Sequence, residues 1–306
     1  MRRTRTRASA RSTAMSGWRL LAAVVVGYLA LTGVVAPPAG AEAAPGDSYV
    51  ALGDSATSGP LIPTPTGLLG CGRSDHNYPH LTAAALGLQL TDVSCGGAAS
   101  RHMTQAQSVE FDGVNPPQFD ALRPDTDLVS VGIGGNDTNW ITIINKCVEV
   151  GWYWPFGSPC ANHYRGQAGG DPNPVTIASV GPKVAGVVQG IRQRAPQAEI
   201  FVVGYASYFP ADGARCWPGV PVARGDQSYL NGLNVQLNEV IKAAAEANGA
   251  TYVDIYTPSL GHDACRSSSI RWTEPYIPGS AAMPWHPNLR GMESAARQLQ
   301  AAMTAA

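Results

Sequence analysis

Along the chain, short and nearly continuous apolar runs alternate with longer segments whose apolar positions recur at helical spacing. The runs are Ser48 to Leu52, Leu88 to Val93, Asp127 to Ile133, Glu199 to Gly204 and Thr251 to Ile255. They predict five strands, and the third, apolar almost throughout, suits a sheet covered on both faces. Helical spacing marks Tyr78 to Leu86, which stops at Gly87, and Val175 to Arg194, with Ile177, Val180, Val184 and Val188. It recurs from Tyr229 to Asn248, with Leu230, Leu233 and Leu237, and from Leu289 to Met303. Cys147 to Pro174 is rich in aromatics, glycine and proline, and predicts an irregular excursion pinned by Cys147 and Cys160. Strands alternating with helices of these lengths predict an α/β fold, a five-stranded mostly parallel sheet with helices on both faces. No internal repeat or linker suggests a second domain.

The N-terminal pattern is different. Arg2, Arg3, Arg5, Arg7, Arg11 and Arg19 precede an uncharged apolar run from Leu20 to Ala36, and Ala41-Glu42-Ala43 follows. Basic, apolar and small-residue regions in that order predict a secretion signal over residues 1–43. The run approaches membrane-span length, so an uncleaved anchor is the rival reading; the A-x-A site favours cleavage. A single domain over residues 44–306 remains, secreted, soluble and not inserted in a membrane. Removing six arginines and Glu42 from 21 Lys+Arg and 22 Asp+Glu leaves 15 against 21, a net charge of −6. That balance offers no footprint for nucleic acid or an anionic surface.

All six cysteines, Cys71, Cys95, Cys147, Cys160, Cys216 and Cys265, lie beyond the signal. An even count in a secreted chain predicts three disulfides. Fifteen pairings are open; the sequential one (71–95, 147–160, 216–265) closes the shortest loops and is favoured. No C-x-x-C occurs and no cysteine pair has histidines at zinc spacing, so neither metal nor cofactor is expected.

Three polar motifs follow strands: Gly53-Asp54-Ser55, Cys95-Gly96-Gly97-Ala98 and Gly134-Gly135-Asn136-Asp137. A fourth, Trp285-His286-Pro287-Asn288, precedes the last helix. In a doubly wound sheet ligands bind beyond the carboxyl ends of the strands, where these motifs fall. Each is weak alone. Together and in this order they resemble the SGNH hydrolases, also called the GDSL esterase/lipase family, whose name residues correspond to Ser55, Gly97, Asn136 and His286. The resemblance is nearest to secreted bacterial lipases with three disulfides, and Tyr256 to Cys265 looks like that subgroup. It implies a flavodoxin-like α/β/α sandwich acting as a monomer on lipid or other small esters. It also implies Ser55 as nucleophile, His286 as general base, and an oxyanion hole from the Ser55 and Gly97 N–H groups and the Asn136 amide.

One position departs from that pattern. The family usually carries Asp three residues before the histidine, and here Met283 stands there. A main-chain carbonyl can fix the tautomer instead. The Met283 carbonyl is expected to orient His286, with Asp54, Asp254 and Asp263 as alternatives. Asp54 is otherwise expected to cap the turn after the first strand, Asp137 to make a structural hydrogen bond, and His262 and Asp263 to shape a disulfide-bound loop. His76 and His80, four apart but broken by Pro79, make a poor metal pair. The Leu61–Leu69 loop suits either an acyl-pocket rim or plain packing.

Acylglycerol-type esters are the expected substrates. Phospholipids and acetylated polysaccharides are rivals, and a non-catalytic secreted binding protein is the reading from another class. The absence of G-x-S-x-G argues against an α/β-hydrolase lipase.

Overall fold

The computed structural model describes residues 42–111, 113–213 and 216–305. The arginines and the apolar run of the expected signal lie outside these residues. The strands are β1 (Ser48–Gly53), β2 (Gln89–Asp92), β3 (Gln107–Val109), β4 (Gly113–Asn115), β5 (Leu128–Gly132), β6 (Glu199–Val203) and β7 (Thr251–Val253). The helices are α1 (Ser55–Ser58), α2 (Tyr78–Leu86), α3 (Trp140–Tyr153), α4 (Pro159–Arg165), α5 (Asn173–Ala178), α6 (Val180–Arg194), α7 (Arg224–Ala247) and α8 (Leu289–Met303).

Five strands form one wholly parallel sheet in the order β2-β1-β5-β6-β7, and β3 pairs with β4 in a small antiparallel ribbon. Alternation along the strands divides the core into two layers. Val50, Leu52, Val129, Val131, Ile200 and Val202 face α3, α6 and α7. Tyr49, Ala51, Leu128, Phe201 and Val203 face α2 and α8. Helix α8 presents Met292, Ala295, Ala296, Leu299 and Met303, one stripe at helical spacing. The chain leaves β1 for β2 on one side and returns to β5 on the other. The switch point therefore lies between β1 and β5, whose ends align with Gly53 opposite Gly132.

The ends of α2 follow from sequence: the Asn77 side chain accepts from the His80 N–H at 3.1 Å, and Gly87 closes the helix at φ 70°. The expected excursion after Cys147 is instead helical. Helix α3 starts at Trp140 and carries Ile143, Ile144 and Cys147 into the core, and α4 follows. Packing overrides the weak helix preference of its Ile, Val and aromatic residues. Buried Asp226, from α7, accepts the Cys160 and Ala161 N–H groups at 3.0 and 2.9 Å and so caps α4 from a distance. The helix expected over 175–194 is two, α5 and α6, and α7 begins five residues before Tyr229. The disulfides are Cys71–Cys95, Cys147–Cys160 and Cys216–Cys265, the sequential pairing.

Candidate active site

Strand β1 delivers Gly53, Asp54 and Ser55 to the switch point. Gly53 is needed there because a Cβ would lie 2.2 Å from the Thr57 Oγ1 and 2.8 Å from the Gly132 carbonyl. Buried Gln118 grips it from the side, accepting from the Gly53 N–H at 2.8 Å and donating to its carbonyl at 2.9 Å. Asp54 caps α1 by accepting from the Ala56 N–H at 2.8 Å, as expected of it. Ser55 therefore opens a short helix whose Ala56 and Thr57 N–H groups are held by Asp54, at 2.8 and 3.1 Å.

The Ser55 Oγ lies 2.7 Å from the His286 Nε2, although 231 residues separate them. His286 is buried, which lowers its pKa below the ordinary 6.5 despite the opposing bond from its ring to the Pro284 carbonyl. A neutral ring at neutral pH, its Nε2 free of the proton, is what a general base requires.

The orienting carbonyl is that of Pro284, at 2.7 Å from the His286 Nδ1, and not that of Met283. The Met283 carbonyl accepts from the main-chain N–H of His286 at 3.1 Å, closing a turn with Pro284 and Trp285 at its centre. Proline at the second position and φ 64° at the third are the marks of a type II turn. Such a turn uses the first carbonyl internally and leaves that of the central peptide free for the ring. The alternative carboxylates are engaged elsewhere. Asp254 accepts from the Tyr256 and Thr257 N–H groups, Asp263 from the Cys265 N–H and Arg266, and Asp54 from Tyr205.

Gly97 takes φ 75°, the left-handed region open to glycine. Crowding is not its reason, since a Cβ would meet only the Gln107 amide nitrogen, at 3.7 Å. The Asn136 amide donates to the Ala98 carbonyl at 2.9 Å, which ties the third motif to the second and leaves it one N–H to spare. Ser55, Gly97, Asn136 and His286 line one cleft of about 590 Å³. Its mouth is rimmed by exposed Leu61, Leu69 and Phe111, so the Leu61–Leu69 loop does reach the cleft. Cys71, bonded to Cys95, continues that rim, and its carbonyl accepts from the Gly96 N–H at 2.8 Å.

Three supporting residues escaped the sequence reading: Tyr205, Gln118 and Glu274. The Tyr205 hydroxyl accepts from the Gly135 N–H at 2.8 Å and donates to Asp54. Glu274 pairs by main-chain bonds with Trp285 and His286. Burial raises its carboxyl pKa, but Arg271, Asn288 and the Gly279 N–H outweigh burial and hold it low. No local motif marks these residues; only the Pro284-Trp285 turn had a legible signal, proline at its second position. Asp137 binds Ser100 and Lys183, a structural role as expected. His262 stacks on Trp272. His76 contacts Asp75 and lies before α2, while His80 contacts Asn77.

The family model described as GDSL-like lipase/acylhydrolase matches residues 51–293. The chain is 42% identical over 276 residues to lipase 2 of Streptomyces coelicolor, covering 89% of this chain and 90% of that one. It is 28% identical to an esterase of Streptomyces scabiei, covering 91% and 92%. Among solved structures, phospholipase A1 from Streptomyces albidoflavus superposes with a TM-score of 0.69 at 26% identity, over 84% of this chain and 99% of that one. The extracellular lipase of Streptomyces rimosus does so at 0.68 and 25%, with the same coverage.

Proposed function

The chain belongs to the GDSL-like lipase/acylhydrolase family and is a carboxylic ester hydrolase, and on that premise we propose a secreted serine lipase acting through an acyl-enzyme on Ser55. The Ser55 hydroxyl attacks the ester carbonyl while the His286 Nε2 takes its proton. The Pro284 carbonyl holds the Nδ1 proton and so fixes the tautomer. Charge on the tetrahedral oxygen is met by the N–H groups of Ser55 and Gly97 and the spare N–H of Asn136. Collapse breaks the bond to the alcohol, which leaves with the proton from His286. Water then attacks the acyl-Ser55, gives its proton to His286, and the acid departs as Ser55 regains its hydrogen. No step calls for a metal or cofactor.

The observation that carries this reading is the 2.7 Å contact between the Ser55 Oγ and the His286 Nε2, at the floor of an apolar-rimmed cleft. Acylglycerol-type esters suit that rim. Residues 1–43 act as a cleaved signal in this proposal, residues 44–306 are one domain acting as a monomer, and the three disulfides fit an oxidising compartment. Phospholipid deacylation is the second reading, favoured by the likeness to phospholipase A1.

The test is hydrolysis of p-nitrophenyl esters from acetate to palmitate, beside the Ser55→Ala variant. Turnover highest at medium or long chains and lost in the variant is expected. Turnover of acetate alone would point to a carbohydrate deacetylase, and turnover retained in the variant would remove Ser55 from the mechanism. Parallel assays on trioctanoin and phosphatidylcholine separate the two lipid readings.

A further inference from the structure

Beside the active-site cleft lies a second hollow of about 400 Å³, walled by Val148, Glu149, Trp152 and Tyr153 of α3, and by Pro218, Pro221 and Ile277. Tyr276 borders both hollows, so they share a wall. The apolar surface around the second is unusual for a soluble protein. Of its lining Trp152 is 60% exposed and Ile277 75%, with Tyr153 and Tyr276 also exposed; exposed Trp154 and Phe156, packed edge to face, follow Tyr153 in the chain, and exposed Trp217 precedes Pro218. A contiguous patch of this kind marks a contact surface.

Its chemistry narrows what it contacts. Apart from Glu149, the residues that line the hollow carry no charge. Glu149 itself is paired with Lys146 at 2.9 Å. An anionic membrane would be met by Lys and Arg and a charged protein surface by complementary charges; the lining of the hollow offers neither a Lys nor an Arg, and its one carboxylate is already paired. Tryptophan and tyrosine, apolar in body and polar at one edge, are the side chains that settle at a lipid–water boundary. The patch is also held stiffly, by Cys147–Cys160, by Cys216–Cys265 and by the Asp226 cap on α4.

We propose that this aromatic face seats the enzyme on the surface of a neutral or zwitterionic lipid aggregate, delivering substrate across Tyr276 into the Ser55 cleft. The proposal rests on the ester-hydrolase reading of that cleft, but its test does not. The purified Ser55→Ala variant, which leaves vesicles intact, is mixed with phosphatidylcholine vesicles and sedimented. Saturable binding is expected, undiminished in molar salt because no charge attraction contributes. Adding Trp152→Ser, Trp154→Ser and Trp217→Ser should weaken binding on the order of 100-fold. In the active background the same three changes should lower turnover of emulsified tributyrin while leaving monomeric p-nitrophenyl acetate untouched.

Quenching of tryptophan fluorescence by bromine-labelled phosphatidylcholine tests the unsubstituted face directly, and quenching is expected. Three results would each overturn the proposal: vesicle binding unchanged by the triple substitution, binding that needs anionic lipid and fails in salt, or no quenching. A dimer in lipid-free solution that the substitutions convert to monomers would give the face to a second copy. Ester hydrolysis that does not depend on Ser55 would sink the catalytic reading alone, because vesicle binding is measured without it.

Discussion

Tyr205 donates its hydroxyl hydrogen to the Asp54 carboxylate at 2.5 Å, both side chains buried and 151 residues apart. Because the same hydroxyl accepts from the Gly135 N–H, one phenol ties the residue before Ser55 to the residue before Asn136. Tyr205→Phe keeps the ring and breaks both bonds. It should lower stability by about 1–3 kcal/mol, the cost of stranding buried polar groups. With Ser55 and Asn136 no longer held in register, the proposed mechanism expects kcat on p-nitrophenyl butyrate to fall roughly tenfold with KM nearly unchanged. A change in KM alone would show that Tyr205 shapes the cleft and not the alignment.

Asp54 itself makes stability depend on pH. Burial lifts its carboxyl from 3.8 to about 7, against the lowering bonds from Tyr205 and the Ala56 N–H. The folded state therefore holds a proton that the unfolded chain releases between those values, so stability falls as pH rises through this window. Relative to Asp54→Asn, which cannot titrate, the wild type should be most stable below 3.8. It should lose up to about 4 kcal/mol by pH 7 and change little above that. Urea unfolding of both proteins across this range measures it; a gap that moved the other way would mean the carboxylate form is the stabilised one.

For His286 the sign is opposite in effect on rate. Burial lowers its pKa, so the neutral base survives into mild acid. The acid limb of kcat/KM should have its midpoint below 6.5, the ordinary histidine value. Stopped-flow assays on a soluble ester give that limb. A midpoint near 7 that disappears in Asp54→Asn would assign it to Asp54 instead.

Asn136 has one amide hydrogen committed to the Ala98 carbonyl and the other directed to chemistry under the proposed mechanism. Asn136→Ala should cut kcat on the order of 100- to 1000-fold with little effect on KM. A rise in KM of that size with kcat unchanged would instead assign the amide to substrate binding.

Much of the architecture was legible because the inner sheet strands β1, β5 and β6 are covered on both faces and read as apolar runs bounded by polar turns. Helix α2 was read over Tyr78 to Leu86 with its stop at Gly87, and the four polar motifs were found because each lies next to a strand or helix end. What escaped depends on contacts made across the fold. Helix α3, rich in Ile, Val and aromatics, is held by burial of Ile143, Ile144 and Cys147 and not by propensity. Asp226 caps α4 from 66 residues away. The orienting carbonyl was misplaced by one residue because spacing cannot show which peptide of a turn faces the ring. Nothing around Tyr205 distinguishes it from a core tyrosine until Asp54 and Gly135 are seen on either side of its hydroxyl.

The disulfide between Cys71 and Cys95 joins the rim of the cleft to the loop that carries Gly97, and the Cys71 carbonyl holds the Gly96 N–H as well. Under the proposed mechanism, selectivity and speed would thereby be inherited together. By that mechanism, a substitution near Leu69 that widens the mouth also pulls on the loop whose Gly97 N–H would receive the developing negative charge. Directed evolution toward a new chain length in this scaffold will meet its main resistance at that crosslink, and variants that succeed should carry compensating changes on the Cys95 side.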